Sequence, residues 1–124
     1  MKKIALILIF ILSTYAHAEL NINPNKIMSK DTGETVLMRI CKDKKVERVI
    51  ELLQKGADPD AQDKKGNTAL IIAVKNNRLE NVKALLEAGA RWDIVNYDKK
   101  TAYDIAKEIG NKEIIKLLED YGAW

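Results

Sequence analysis

Asp63-Lys64-Lys65-Gly66-Asn67-Thr68-Ala69-Leu70-Ile71-Ile72-Ala73, followed by Val82-Lys83-Ala84-Leu85-Leu86-Glu87-Ala88-Gly89-Ala90, is the stretch that decides the fold. It holds a turn, a threonine, an apolar run, a second one-sided apolar run and a Gly-Ala pair. The same order recurs 33 residues earlier, with Thr35 and Gly56-Ala57, and 33 residues later, with Thr101 and Gly122-Ala123. A fixed period of this length means stacked copies of one small unit, not a globular fold around a central pocket. The functional question becomes which surface the stack presents.

Each threonine follows a turn-rich stretch and precedes an apolar run, so Thr35, Thr68 and Thr101 read as helix N-caps. About ten residues on, each helix is expected to stop at Lys44, Asn77 or Gly110. Gly and Asn tolerate the left-handed conformation that ends a helix, and Lys44 tolerates it less well. A second helix follows, with Glu47, Glu80 or Glu113 in its first turn, where a negative charge suits the helix dipole. Val49, Val82 and Ile115 precede Leu52, Leu85 and Leu118 by three residues, which gives a one-sided apolar stripe. The glycine of each Gly-Ala pair closes this helix. Polar connectors link the copies, such as Asp58 to Asn67 and Arg91 to Lys100.

The pattern resembles the ankyrin repeat, which runs D-x-x-G-x-T-P-L-H-x-A, then V-x-x-L-L, then G-A-D. The resemblance covers about residues 29–124, in units near 29–61, 62–94 and 95–124, with 19–28 as a lead-in or partial cap. It implies an all-α solenoid of helix-turn-helix units with hairpin-like loops. This chain departs from the pattern in places. Val36, Ala69 and Ala102 replace the proline after each threonine. Met38, Ile71 and Asp104 replace the histidine, so the family's histidine-based network across repeats is expected to be missing. Lys99 stands where the third turn glycine belongs, which puts that loop's geometry in question. Arg39, Lys107 and Glu119 stand where the middle copy has Ile72, Val74 and Leu86, as end units need polar outer faces.

Residues 1–18 read as a secretory signal peptide: Lys2 and Lys3, the nine-residue apolar run Ile4 to Leu12, then Ala16-His17-Ala18 as the cleavage site. The run is too short for a spanning helix, which needs about 20 residues. No cysteine follows the cleavage site, which argues against a lipid anchor. The expected location is the bacterial periplasm, with release to the medium as the alternative. The whole chain has 21 Lys+Arg and 18 Asp+Glu; removing the two signal lysines leaves 19 against 18. That balance lacks the basic footprint of a nucleic-acid binder. The only histidine, His17, leaves with the signal, so mature chain offers no histidine-dependent triad, Cys/His pair or His-containing zinc site. One cysteine, Cys41, forms no internal disulfide; it reads as a small buried hydrophobe, the other reading being a redox or intermolecular thiol. No cofactor is implied.

Asp58, Asp60 and Asp63 lack the remaining ligands of a calcium loop and read as turn and capping residues. Lys64-Lys65 and Lys99-Lys100 at the loop tips read first as solubilising pairs, and otherwise as contacts to an acidic partner or anionic cell-wall polymers. Tyr103 holds the inner-helix leucine position and reads as core; Tyr121 and Trp124 read as closing the C-terminal cap. Tyr97 and Trp92 are candidate interface anchors, with packing under the loop as the other reading for Trp92. By the resemblance, partners meet the loop tips and the concave side of the first helices. Here that surface is Lys64, Lys65, Asn67, Lys75 and Asn76, then Tyr97, Asp98, Lys100, Glu108 and Ile109, with Asp31, Glu34, Lys42 and Asp43 in the first copy.

The expected function is a non-enzymatic protein binder, a monomer on its own, with an exported enzyme as partner. The form favoured is inhibition or neutralisation of a cell-wall hydrolase or toxin, an immunity-type role. The alternatives are an accessory factor or chaperone for a periplasmic enzyme such as a haem peroxidase or catalase, and a secreted protein acting on a host. Catalysis is disfavoured, since without histidine it needs paired carboxylates or a tuned lysine in a deep pocket.

Overall fold

The computed structural model describes residues 23–124. The signal segment 1–18 and residues 19–22 of the lead-in lie outside the described residues. A short antiparallel ladder opens the fold, β1 (Ile27–Ser29) against β2 (Glu34–Thr35), with an irregular register between its two pairs. Six helices follow: α1 (Val36–Ile40), α2 (Val46–Gln54), α3 (Ala69–Lys75), α4 (Leu79–Glu87), α5 (Ala102–Ile109) and α6 (Lys112–Asp120). Each unit pairs an inner with an outer helix, α1 with α2, α3 with α4, α5 with α6. Inner helices stack on inner, and outer on outer. The all-α solenoid stands, with β1–β2 as its one regular strand pair among the described residues. β1 begins two residues ahead of the expected start of the first unit at residue 29.

All three threonines cap as expected. The hydroxyl oxygens of Thr35, Thr68 and Thr101 accept from the N–H groups of Met38, Ile71 and Asp104, each at 3.2 Å. Asp104 reciprocates: its carboxylate accepts from the Thr101 N–H at 2.9 Å, completing a capping box. Each outer helix ends in a Schellman turn around the Gly-Ala pair. In the first, the Gly56 N–H reaches the Leu53 carbonyl and the Ala57 N–H reaches that of Leu52; φ is +90° at Gly56. Asn77 (φ +56°) ends α3 the same way, and Gly110 (φ +80°) ends α5 in the left-handed conformation.

The first inner helix departs from expectation. Lys44 is not left-handed, and α1 ends at Ile40, two residues short of the position equivalent to Lys75, where α3 ends. The carbonyls left open beyond it are closed by the second unit. Arg78 Nε donates to the Lys42 carbonyl at 2.7 Å. Asn81 Nδ2 donates to the carbonyls of Cys41 and Asp43, at 3.1 and 2.7 Å. Asn81 is itself buried. Its counterpart in the third unit is the buried Ile114, which has no such task.

The core is continuous through all three units. Leu37, Leu70, Ile71, Val49, Val82, Leu85, Ile114 and Leu118 are all buried, and Cys41 lies among them. Burial pushes the Cys41 thiol up to about 12, so the small-hydrophobe reading holds. Tyr103 is not core. Among the described residues nothing covers it fully, and it stays half-buried. Its hydroxyl donates to Glu119 at 2.9 Å, and the Lys107 ammonium sits 4.5 Å from its ring centroid. The two end-unit charges thus shield an aromatic ring. Ile115 is likewise only half-buried, and Ile114 takes the fully buried position.

Candidate protein-binding groove

The loop tips are tied to one another. Asp63 Oδ1 accepts from the N–H groups of Lys65 and Asn67, both at 2.9 Å, and Asn96 Oδ1 accepts from those of Asp98 and Lys100, both at 3.0 Å. These turns are equivalent. Asn96 therefore holds Lys99 at φ +61° without the expected glycine, and the third loop keeps the geometry of the second. Between units, the Lys64 N–H donates to the Thr32 carbonyl at 2.9 Å, and the Tyr97 N–H donates to that of Lys65 at 3.0 Å. Gly66 makes the second contact possible. A Cβ there would stand 2.8 Å from both the backbone nitrogen and Cδ1 of Tyr97. A side-chain bridge across repeats exists after all: Asn96 Nδ2 donates to Asn67 Oδ1 at 3.0 Å. Asp58 and Asp60 also accept from backbone N–H groups, those of Asp60 and Arg91, as turn and connector residues do.

Beneath the first two tips lies an open groove of about 350 Å³. Lys64, Lys65, Asn67, Lys75 and Asn76 line it, all five middle-unit residues expected at the binding surface. Asp31, Glu34 and Lys42 complete its first-unit wall. Asp43 is not part of it, and Asn67 contributes from a buried position, held by Asn96. Ile72, Thr32 and Asp63 also line the groove. None of the three was expected there, since Ile72 reads as one more residue of an apolar run and Asp63 as a turn residue.

Glu34 is the most enclosed charge of the groove, with its side chain 10% exposed. Burial raises its carboxyl, but hydrogen bonds and charge from Lys42 and Arg39 outweigh this and hold it below the usual value. Arg39 approaches it at 3.2 Å, and Lys42 makes a short direct contact. In the third unit, Lys100 pairs with Glu108 at 2.7 Å, while Asp98 and Ile109 stay exposed. Tyr97 is 70% exposed but faces a different hollow, with Ile27, Lys30 and Gln62. Trp92 is elsewhere. It packs on the core and meets Trp124 in a tilted ring contact, 6.2 Å between centroids, so it belongs to the C-terminal end and not to the groove. Trp124 itself remains 89% exposed and meets the cap through that tilted contact.

No curated protein matches the chain. A family model described as ankyrin repeats (3 copies) matches it twice, over residues 5–96 and 37–123. With the threonine caps, the paired helices and the stacked loop tips, the chain belongs to the ankyrin-repeat family, whose domains are protein-interaction modules and generally non-enzymatic.

Proposed function

We propose that this protein is an exported binder that neutralises a second exported protein, a cell-wall hydrolase or a toxin, by seating a segment of it in the groove between the first two units. The observation that carries this reading is the groove itself. Residues from two units converge on it, and the hydrogen bonds between the loop tips fix its upper edge before any partner arrives. A preorganised concave surface loses little freedom on binding, which suits tight blockade of another protein's surface. The export reading rests on the layout of residues 1–18, and periplasmic location follows from it as part of the proposal.

The test is expression of the full chain with an affinity tag after Trp124, and recovery of its partner from the periplasmic fraction. A stoichiometric partner lost in a Lys65→Glu, Lys75→Glu variant is expected, with its hydrolytic or toxic activity suppressed in the complex. A partner whose activity rises would replace neutralisation with an accessory role. Recovery of the same proteins by both forms would sink the groove as the binding surface.

A further inference from the structure

We infer that the partner places a carboxylate side chain, carried on an acidic segment, against Lys75 on the middle-unit wall of the groove. This rests on the groove-binding reading above and names the chemistry of what the groove receives. Three residue pairs occupy equivalent places at the 33-residue interval: Glu34 with Lys42, Asn67 with Lys75, and Lys100 with Glu108. The first and third are ion pairs. In the middle pair an amide stands where a carboxylate would complete the set. Lys75 Nζ reaches Asn67 Oδ1 only at 3.4 Å, long for a hydrogen bond. That oxygen is already shared with Asn96 Nδ2, and Asn67 is buried in place.

The charges around this position leave the lysine without a counter-ion. Among the described residues, Lys64, Lys65 and Lys75 enter no ion pair. The nearby acids are engaged. Glu34 is held by Arg39 and Lys42, and Asp63 accepts from two backbone N–H groups. Asp31 and Asp63, neither in an ion pair, offset the three lysines only in part. The chain therefore builds a carboxylate–ammonium pair at this place in the first and third units and omits the acid in the middle one. A carboxylate from outside completes the row, and beside the apolar Ile72 it meets less water than at an open surface. A neutral or basic segment has nothing to gain there.

The sharpest probe is Asn67→Asp. It keeps the oxygen that Asn96 donates to and installs the missing carboxylate within the chain. Lys75→Gln removes the charge from the other side, at an exposed position. Random twelve-residue peptides displayed on phage are selected against the purified protein, and the best is measured by calorimetry against all three forms. Selected peptides should share an Asp or Glu at one position. Both variants should bind about tenfold more weakly, equivalent to about 1.4 kcal/mol, with cooperative thermal melts showing that each remains folded. Peptides that need Lys65 but carry no shared acid would overturn the inference and leave the groove reading intact. Peptides indifferent to every groove substitution would remove both. Inorganic polyphosphate binding that depends on Lys75, with no acidic peptide enriched, would assign the position to anionic polymers and overturn the inference.

Discussion

Replacing Asn81 with alanine removes the two hydrogen bonds that close the end of α1 from the neighbouring unit. The Cys41 carbonyl lies in the core and has no other way to be satisfied, while that of Asp43 is nearer the surface and water can reach it. Each lost bond costs about 1 kcal/mol net, and an orphaned buried acceptor adds about 1 more. The expected loss is about 2–3 kcal/mol. For a domain of this size that lowers Tm by roughly 10–20 °C. Urea denaturation followed by far-UV circular dichroism measures it, with the midpoint falling at constant slope. Asn81→Asp is nearly isosteric but offers no donor at neutral pH, so it should lose at least as much. If either variant stays within about 0.5 kcal/mol of the parent, the two bonds do not hold α1 in place, and the account of its early ending fails.

Other outcomes follow from the same geometry. Glu34 has a lowered folded pKa, so its stabilisation is present above the unfolded carboxyl value of about 4.3 and lost as pH falls through the folded one; urea midpoints of the parent and Glu34→Gln should differ at pH 7 and converge in acid. Lys99→Gly should raise stability by about 0.5–1 kcal/mol, because a side chain in the left-handed region costs about 1–2 kcal/mol and glycine escapes it. By contrast, Gly66→Ala should cost more than about 1 kcal/mol, since its Cβ meets backbone at 2.8 Å; a neutral effect in thermal melts would contradict the tip-to-tip contact. Cys41, with its thiol pushed up to about 12 and buried, should react with a bulky disulfide reagent only as fast as the protein unfolds, and a rapid burst of labelling would show otherwise.

The features legible in the sequence are those repeated at equivalent positions. Threonine caps, first-turn glutamates and Gly-Ala turns act within one unit, so a single copy teaches the other two. The middle-unit lysines and asparagines of the groove were legible for the same reason: the fold carries equivalent inner-helix positions to the same concave side. What stayed hidden lies where copies differ and interact. Asn81 faces Arg48 and Ile114 in the alignment, and nothing in its own unit shows that it serves carbonyls 38 and 40 residues away. Trp92 reads as a loop aromatic because its partner, Trp124, sits at the chain's far end. Tyr103 reads as core because the leucines at its position are core, but among the described residues no further unit packs on that side. Lys99 reads as a loop defect because the side chain that holds the turn is Asn96, where the middle copy has Asp63.

The dependence of α1 on Arg78 and Asn81 has a consequence for the order of events on a growing chain. Synthesis delivers the first unit before the second, but the turn that follows α1, Cys41 to Asp43, is closed by donors 36 to 40 residues further along. α3, capped at both ends by residues of its own unit, has no such wait. The segment made first is therefore completed later than the one that follows it. A chain stalled before residue 78 holds Lys42, on the first-unit wall of the groove, in a turn that is not yet locked.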